Sequence, residues 1–302
     1  MNNVLILTNK QNAHFQRAEN DGKVVLADIY NPRLINKYLR HLPFFASFSL
    51  GSWKKTLNEY HTIIVFDSLL TRHSLYSIAK LCKDKRFILF FRNKATKKKL
   101  KWNFARIESK GAEIWSYNLS DCRKYGLKYH SDPPDDQLLE SYKTRNYPEF
   151  DMVFLGDNKG RENYLLNVIK ICAENKLSSY LYVIHGDNIP NNRCVANAYM
   201  KYTDYLDLLC NSKSVLDIVN EDNWGLTYRP FEAMFLKKKL ITNYSDIIQY
   251  DFYNPSNIFL LGIDDITQLK DFLNSSYIDV DNSITDAYRT QNWLKGFLLN
   301  EE

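Results

Sequence analysis

The sequence predicts an α/β protein built from two Rossmann-like domains. Short apolar runs alternate with longer helical patterns through both halves of the 302 residues, and a polar, proline-bearing segment stands between the halves. The halves also differ in charge: residues 1–148 hold 26 Lys+Arg against 13 Asp+Glu, and residues 149–302 hold 14 against 22.

Val4 to Thr8 is apolar and opens the chain, as the entry strand of a doubly wound sheet does. Val24 to Ala27 gives a second strand. The stretch from Leu34 to Phe48 mixes basic and aromatic residues around an apolar patch, Leu42-Pro43-Phe44-Phe45. Ile63 to Phe66 and Phe87 to Phe91 are buried strands on either side of a helix from Leu69 to Leu81, and Ala112 to Tyr117 is the last strand of this half. Strands and helices at this spacing imply parallel βαβ units. Asp121 to Tyr129 shows no apolar period, and the segment 131–149, with Pro133, Pro134 and Pro148, reads as a linker between a domain 1–130 and a domain 150–284.

The second half repeats the scheme. Met152 to Leu155 is a strand, Gly156 to Arg161 a basic turn bearing glycine, and Tyr164 to Ala173 a helix. Tyr180 to Ile184 is the next strand, with a turn at His185-Gly186-Asp187. Tyr202 to Leu209 reads as helix and Ser214 to Val219 as strand. Ile258 to Leu261 and Ile266 to Leu273 give a late strand and helix. Residues 285–302 hold an amphipathic segment, Ala287 to Leu299.

A hydrophobic content of 45% with 25% charged residues belongs to a globular protein. No apolar run approaches the roughly 18 residues of a membrane span, and Met1-Asn2-Asn3-Val4 lacks the basic start of a secretion signal. The odd, scattered set Cys82, Cys122, Cys172, Cys194 and Cys210 favours reduced thiols and a cytoplasmic setting over a disulfide frame or a zinc site. The surplus of positive charge in the first half points to an anionic partner.

The densest stretch is Trp224 to Asn243. Pro230 suits a first helical turn, the helix runs to about Leu236, and Leu240-Ile241 reads as a buried strand. An Arg at a helix start is a natural contact for an anion, and Glu232 lies one turn on. Apolar flanks bury this pair in a sheet, whereas an exposed pair would be an ordinary surface ion pair. The run from Gly225 through Tyr228-Arg229-Pro230-Phe231-Glu232-Ala233-Met234 to Lys239-Leu240-Ile241-Thr242 resembles the donor-binding segment of GT-B glycosyltransferases, particularly bacterial enzymes of lipopolysaccharide or capsule assembly. The resemblance implies two Rossmann-like domains facing across a cleft, a nucleotide-sugar donor, a glycan or glycolipid acceptor, and a C-terminal helix that crosses back to the first domain. It also implies that Glu232 holds the ribose hydroxyls. Trp224 stands where retaining members often carry a second Glu, eight positions earlier, so the two-Glu arrangement is not implied.

Ligands of open α/β sheets sit beyond the carboxyl ends of the strands. That placement makes Gly156, Lys159, Arg161, His185, Arg229 and Glu232 the candidate donor-binding residues, with Lys159 and Arg161 at the diphosphate; the plainer reading of these two is a solvated helix start. His14 and Asp67 follow strands of the first half and are the candidate general bases, the alternatives being a surface histidine and an N-cap for the Leu69 helix. Lys97, Lys98, Lys99 and Trp102, echoed by Trp53-Lys54-Lys55, are candidates for contact with an anionic membrane at its inner face. Without a nucleic-acid-binding signature, no nucleic-acid partner is expected. Asp279-Val280-Asp281 matches a metal-holding motif, but lies too near the C-terminus to act as one, so neither metal nor cofactor is expected. The rivals are a polyol-phosphate transferase on the same scaffold and a non-catalytic subunit of an assembly complex.

Overall fold

The computed structural model describes residues 4–8, 24–33, 35–95, 104–142, 144, 147–220 and 225–297. The chain divides into two units, Met1–Asp132 and Pro133–Glu302.

The first unit is a parallel sheet of β1 (Val4–Thr8), β2 (Val24–Asp28), β3 (Thr62–Phe66), β4 (Arg86–Phe91), β5 (Ala112–Ser116) and β6 (Lys128–Tyr129), in the order β2-β1-β3-β4-β5-β6. Strands β1 and β3 are buried at every residue, as unbroken apolar runs of a sheet covered on both faces must be. Among the described residues, four helices accompany it: α1 (Asn36–Leu39), α2 (Arg72–Leu81), α3 (Phe104–Glu108) and α4 (Leu119–Tyr125).

Three expectations for this unit need correction. Helix α2 starts at Arg72, not Leu69, because Thr71 and Ser74 form a capping box: the Thr71 hydroxyl accepts the Ser74 N–H at 3.2 Å and the Ser74 hydroxyl accepts the Thr71 N–H at 3.0 Å. Asp67 therefore does not cap this helix; it opens a separate 3₁₀ turn, Asp67–Leu69. The segment 121–129 is not irregular. Asn118 accepts the Asp121 N–H at 3.0 Å to open α4, and Gly126, at φ +67°, closes it, so caps specify a helix that apolar periodicity does not. Trp53, expected on a basic surface, is buried and donates its indole N–H to the Ile29 carbonyl at 3.2 Å.

Gly51 is pressed against the end of β2. It donates its N–H to the Ile29 carbonyl at 2.8 Å, and a Cβ added there would sit well inside contact distance of the Asp28 carbonyl oxygen. We expect Gly51→Ala to destabilise the protein by about 1–3 kcal/mol in urea denaturation, the usual cost of overpacking. A change under about 0.5 kcal/mol would show that this strand end yields freely.

The second unit is a parallel sheet of β7 (Phe150–Asp157), β8 (Ser179–Ile184), β9 (Ser212–Asp217), β10 (Lys239–Thr242) and β11 (Ile258–Leu260), in the order β11-β10-β9-β7-β8. Its helices are α5 (Asp136–Glu140), α6 (Glu162–Asn175), α7 (Tyr202–Cys210), α8 (Arg229–Phe235), α9 (Leu269–Asn274), α10 (Asn282–Ala287) and α11 (Thr290–Gly296). The segment 131–149 is more than a linker. Asp135 caps α5 by accepting the Leu138 N–H at 3.1 Å, and Leu139 is fully buried in the core with Tyr205, Phe231 and Met234. Asp136 reaches the far end of the unit, accepting the Thr290 hydroxyl at 2.7 Å and the Thr290 N–H at 3.1 Å, with Arg289 at 3.3 Å. The helix expected from Ala287 begins instead at Thr290, as α11, because Ala287 is the last residue of α10. Asp279 pairs with Lys237 at 2.8 Å, and Asp281 caps α10 through the Ser283 N–H at 2.7 Å. All five cysteines are free thiols. Among the described residues, no helix is long and apolar enough to cross a membrane.

Candidate functional site

In each sheet the chain leaves its first strand on one side and later returns to build on the other. The reversal falls between β1 and β3 in the first unit and between β7 and β9 in the second. Loops part at such a point and leave room for a ligand at the carboxyl edge.

In the second unit that point is occupied by Arg229. Its Nη1 donates to Asp217 Oδ1 at 3.3 Å, at the end of β9, and its Nη2 donates to the Leu155 carbonyl of β7. Thr227 completes the arrangement, giving its hydroxyl to Asp217 Oδ2 at 3.0 Å and accepting the Arg229 N–H at 3.2 Å. Asp217 is 1% exposed, and burial pushes its carboxyl up from the usual range against the pull of Arg229. Burial works most strongly against the guanidinium charge, but Asp217, Tyr205 and Glu232 together more than offset it and hold Arg229 above its ordinary value. The Arg229 Nε–H is buried with no hydrogen-bond partner among the described residues.

Gly156 makes room for this cation. A Cβ there would stand 3.4 Å from Arg229 Nη2 and 3.1 Å from the Phe154 ring, over which the guanidinium lies at 5.3 Å. Arg161 does not reach outward. Its Nε donates to the Ile218 carbonyl and its Nη1 to the Asp157 carbonyl, both at 2.7 Å, so it ties two strand-end loops together. Burial and then the like charge of Arg229 lower its basicity. Lys159 is exposed in a left-handed turn, φ 40°, and its carbonyl accepts the Asn220 amide at 2.6 Å. The next turn is the start of α6, where no side chain caps the free N–H groups. His185 is exposed beside it, its Nδ1 3.3 Å from Asp157 Oδ1, not from Asp187.

Glu232 is 2% exposed and is neither in solvent nor in an ion pair with Arg229. Each carboxylate oxygen accepts a tyrosine hydroxyl, Tyr202 at 2.8 Å and Tyr205 at 2.7 Å. Burial raises its pKa, opposed by Arg229 and by the two hydroxyls, while burial and the Glu232 charge push both tyrosines upward. The pair spaced three apart on α7 points two hydroxyls at one carboxylate, much as a vicinal diol would.

The first unit has a pocket of about 400 Å³ at its own reversal point. Thr8 and Asp28 from the strand ends line it, with Arg40, His41, Ser68 and Thr71 from the loops. Asp67 does not face it: this carboxylate is 1% exposed and accepts the Arg92 N–H at 2.8 Å across the sheet end. His14 lies outside the described residues, as do Lys97, Lys98, Lys99, Trp102 and Trp224. Sequence reasoning missed Asp28 and Asp217. Both follow directly on a buried apolar run, and that position was the available signal.

No family model matches the chain, and no curated protein matches it. Among solved structures it is similar to an alpha-glucosyltransferase in complex with UDP and a 13-mer DNA containing a central A:G mismatch. That likeness covers 99% of this chain and 97% of the other, with a TM-score of 0.53 at 10% identity. What the two share is the fold.

Proposed function

We propose that the protein is a glycosyltransferase that takes a sugar from a nucleotide donor held by the second unit. The acceptor, a glycan or glycolipid, is assigned to the pocket lined by Asp28, Arg40 and His41. The carrying observation is the second sheet's reversal point, where Arg229 spans β7 and β9 with one buried N–H unpaired among the described residues and the exposed Lys159 precedes the uncapped start of α6. A diphosphate suits this chemistry, because helix N–H groups, an ammonium and a guanidinium all favour negative charge that grows as the donor bond breaks. A fold shared over almost the whole chain with a UDP-bound alpha-glucosyltransferase supports the reading. The motif from Gly225 to Thr242 supports a setting in bacterial surface-polysaccharide assembly. In the first unit, Asp28 and His41 are the carboxylate and imidazole available to take the acceptor's proton. The neighbour's DNA lends no support to excluding a nucleic-acid partner.

The test is thermal melting with a panel of nucleoside diphosphates. A ligand at a hundred times its Kd adds about 2.7 kcal/mol, a rise of several degrees. UDP, or another member of the panel, is expected to give that rise in the wild type and much less in Lys159→Glu. If no nucleotide moves the melting temperature, the donor site is misplaced. Mass analysis of products then separates sugar transfer from transfer of a polyol phosphate.

A further inference from the structure

The first unit carries an outward apolar face that the donor reading leaves unused. In the segment 35–48, Phe44 is 87% exposed, Phe48 68%, Ile35 62% and Phe45 50%, and the rings of Phe45 and Phe48 lie 6.3 Å apart. This is an ordered surface: Ala46 within the segment and Ser49 and Leu50 just after it are buried, and the Ser49 hydroxyl donates to the Ala46 carbonyl at 2.6 Å. Large apolar side chains exposed together on an ordered surface mark an interaction site.

Beside it runs an open groove of about 890 Å³, walled by Phe44, Arg72, Tyr76, Lys80, Arg106 and Lys110. The guanidinium carbons of Arg72 and Arg106 stand 5.5 and 5.0 Å from the centre of the same Tyr76 ring. No Asp or Glu is among the described residues lining the groove. Arg72, Lys80 and Lys110 bring three positive charges to a wall with no acid among its described residues, and that favours an anion along it. Large apolar side chains at the rim favour a ligand that is greasy next to its charge.

We propose that this face docks on a bilayer containing anionic lipids, with Phe44, Phe45 and Phe48 entering the interface and Arg72, Lys80, Arg106 and Lys110 holding phosphate headgroups. Nucleic acid would use the cations, but gains nothing from Ile35 or from phenylalanines at the rim. Docking stands independently of the donor site. Joined to the glycosyl-transfer reading, it makes the acceptor lipid-anchored, because Arg40 and His41 of the acceptor pocket belong to the same segment.

The full chain is to be sedimented with vesicles of phosphatidylcholine alone and of phosphatidylcholine mixed with phosphatidylglycerol. Binding is expected to the mixed vesicles, weakening with salt. The double variant Phe44→Ser, Phe48→Ser is expected to bind at least about tenfold more weakly, as loss of a buried ring implies. The quadruple variant Arg72→Gln, Lys80→Gln, Arg106→Gln, Lys110→Gln is expected to lose the preference for phosphatidylglycerol, and both variants are expected to keep the wild-type nucleotide response in melting. Phe44→Trp, at a site open enough to accept the ring, should blue-shift its emission on the mixed vesicles. No binding to mixed vesicles, or no blue shift, overturns the proposal. So does a quadruple variant that loses a DNA duplex in gel shift while the wild type ignores vesicles.

Discussion

Arg229→Met is expected to cost the second unit about 3–5 kcal/mol, because it strands a carboxylate, Asp217, that is 1% exposed. The same change releases the Leu155 carbonyl and opens space against Phe154 and Gly156. Urea denaturation followed by circular dichroism reads the loss. Adding Asp217→Leu should restore much of it, since removing both charges of a buried pair is far less damaging than removing one. A loss below about 1 kcal/mol in Arg229→Met would mean that the pair behaves as a surface contact and that the reversal point is not built around it.

The double variant Tyr202→Phe, Tyr205→Phe is expected to be less stable without ligand and to gain more stability from nucleotide. Each hydroxyl removed takes a hydrogen bond from the buried Glu232 carboxylate, worth about 1.5–3 kcal/mol where a charge is involved. With both oxygens vacated, the two hydroxyls of a ribose would meet a carboxylate that no longer has to release other partners. Melting with and without UDP measures both effects. A larger UDP shift than in the wild type assigns Glu232 to the ribose. An unchanged or smaller shift makes it a structural acid and leaves the donor to Lys159 and Arg229.

The sheets were readable in the sequence because parallel strands covered on both faces must be apolar without alternation, and Val4–Thr8, Thr62–Phe66 and Arg86–Phe91 are nearly so. Elements defined by caps were not. Helix α4 depends on Asn118 and Gly126, and α5 on Asp135, in a proline-rich acidic stretch whose composition resembles a linker. The burial of Arg229 and Glu232 was legible from their apolar flanks. Their partners were not, because Asp217 lies 12 residues from Arg229, and Tyr205 and Tyr202 lie 27 and 30 from Glu232. Arg161 shows the limit most plainly: a basic residue ahead of a helix reads as a phosphate ligand, yet backbone carbonyls on two strand ends claim it first. Trp53 misled in the opposite direction, since neighbouring lysines say nothing about which way an indole turns.

The contact between Asp136 and Thr290 joins residues 154 apart, near the two ends of the second unit, and the carboxylate is 4% exposed. On the ribosome, the second unit cannot close this contact until Thr290 has emerged, whereas the preceding unit is free to fold while translation continues. A stalled or truncated product ending before Thr290 would leave that acid without its seal, and quality-control proteases should meet an open second half behind a finished first one.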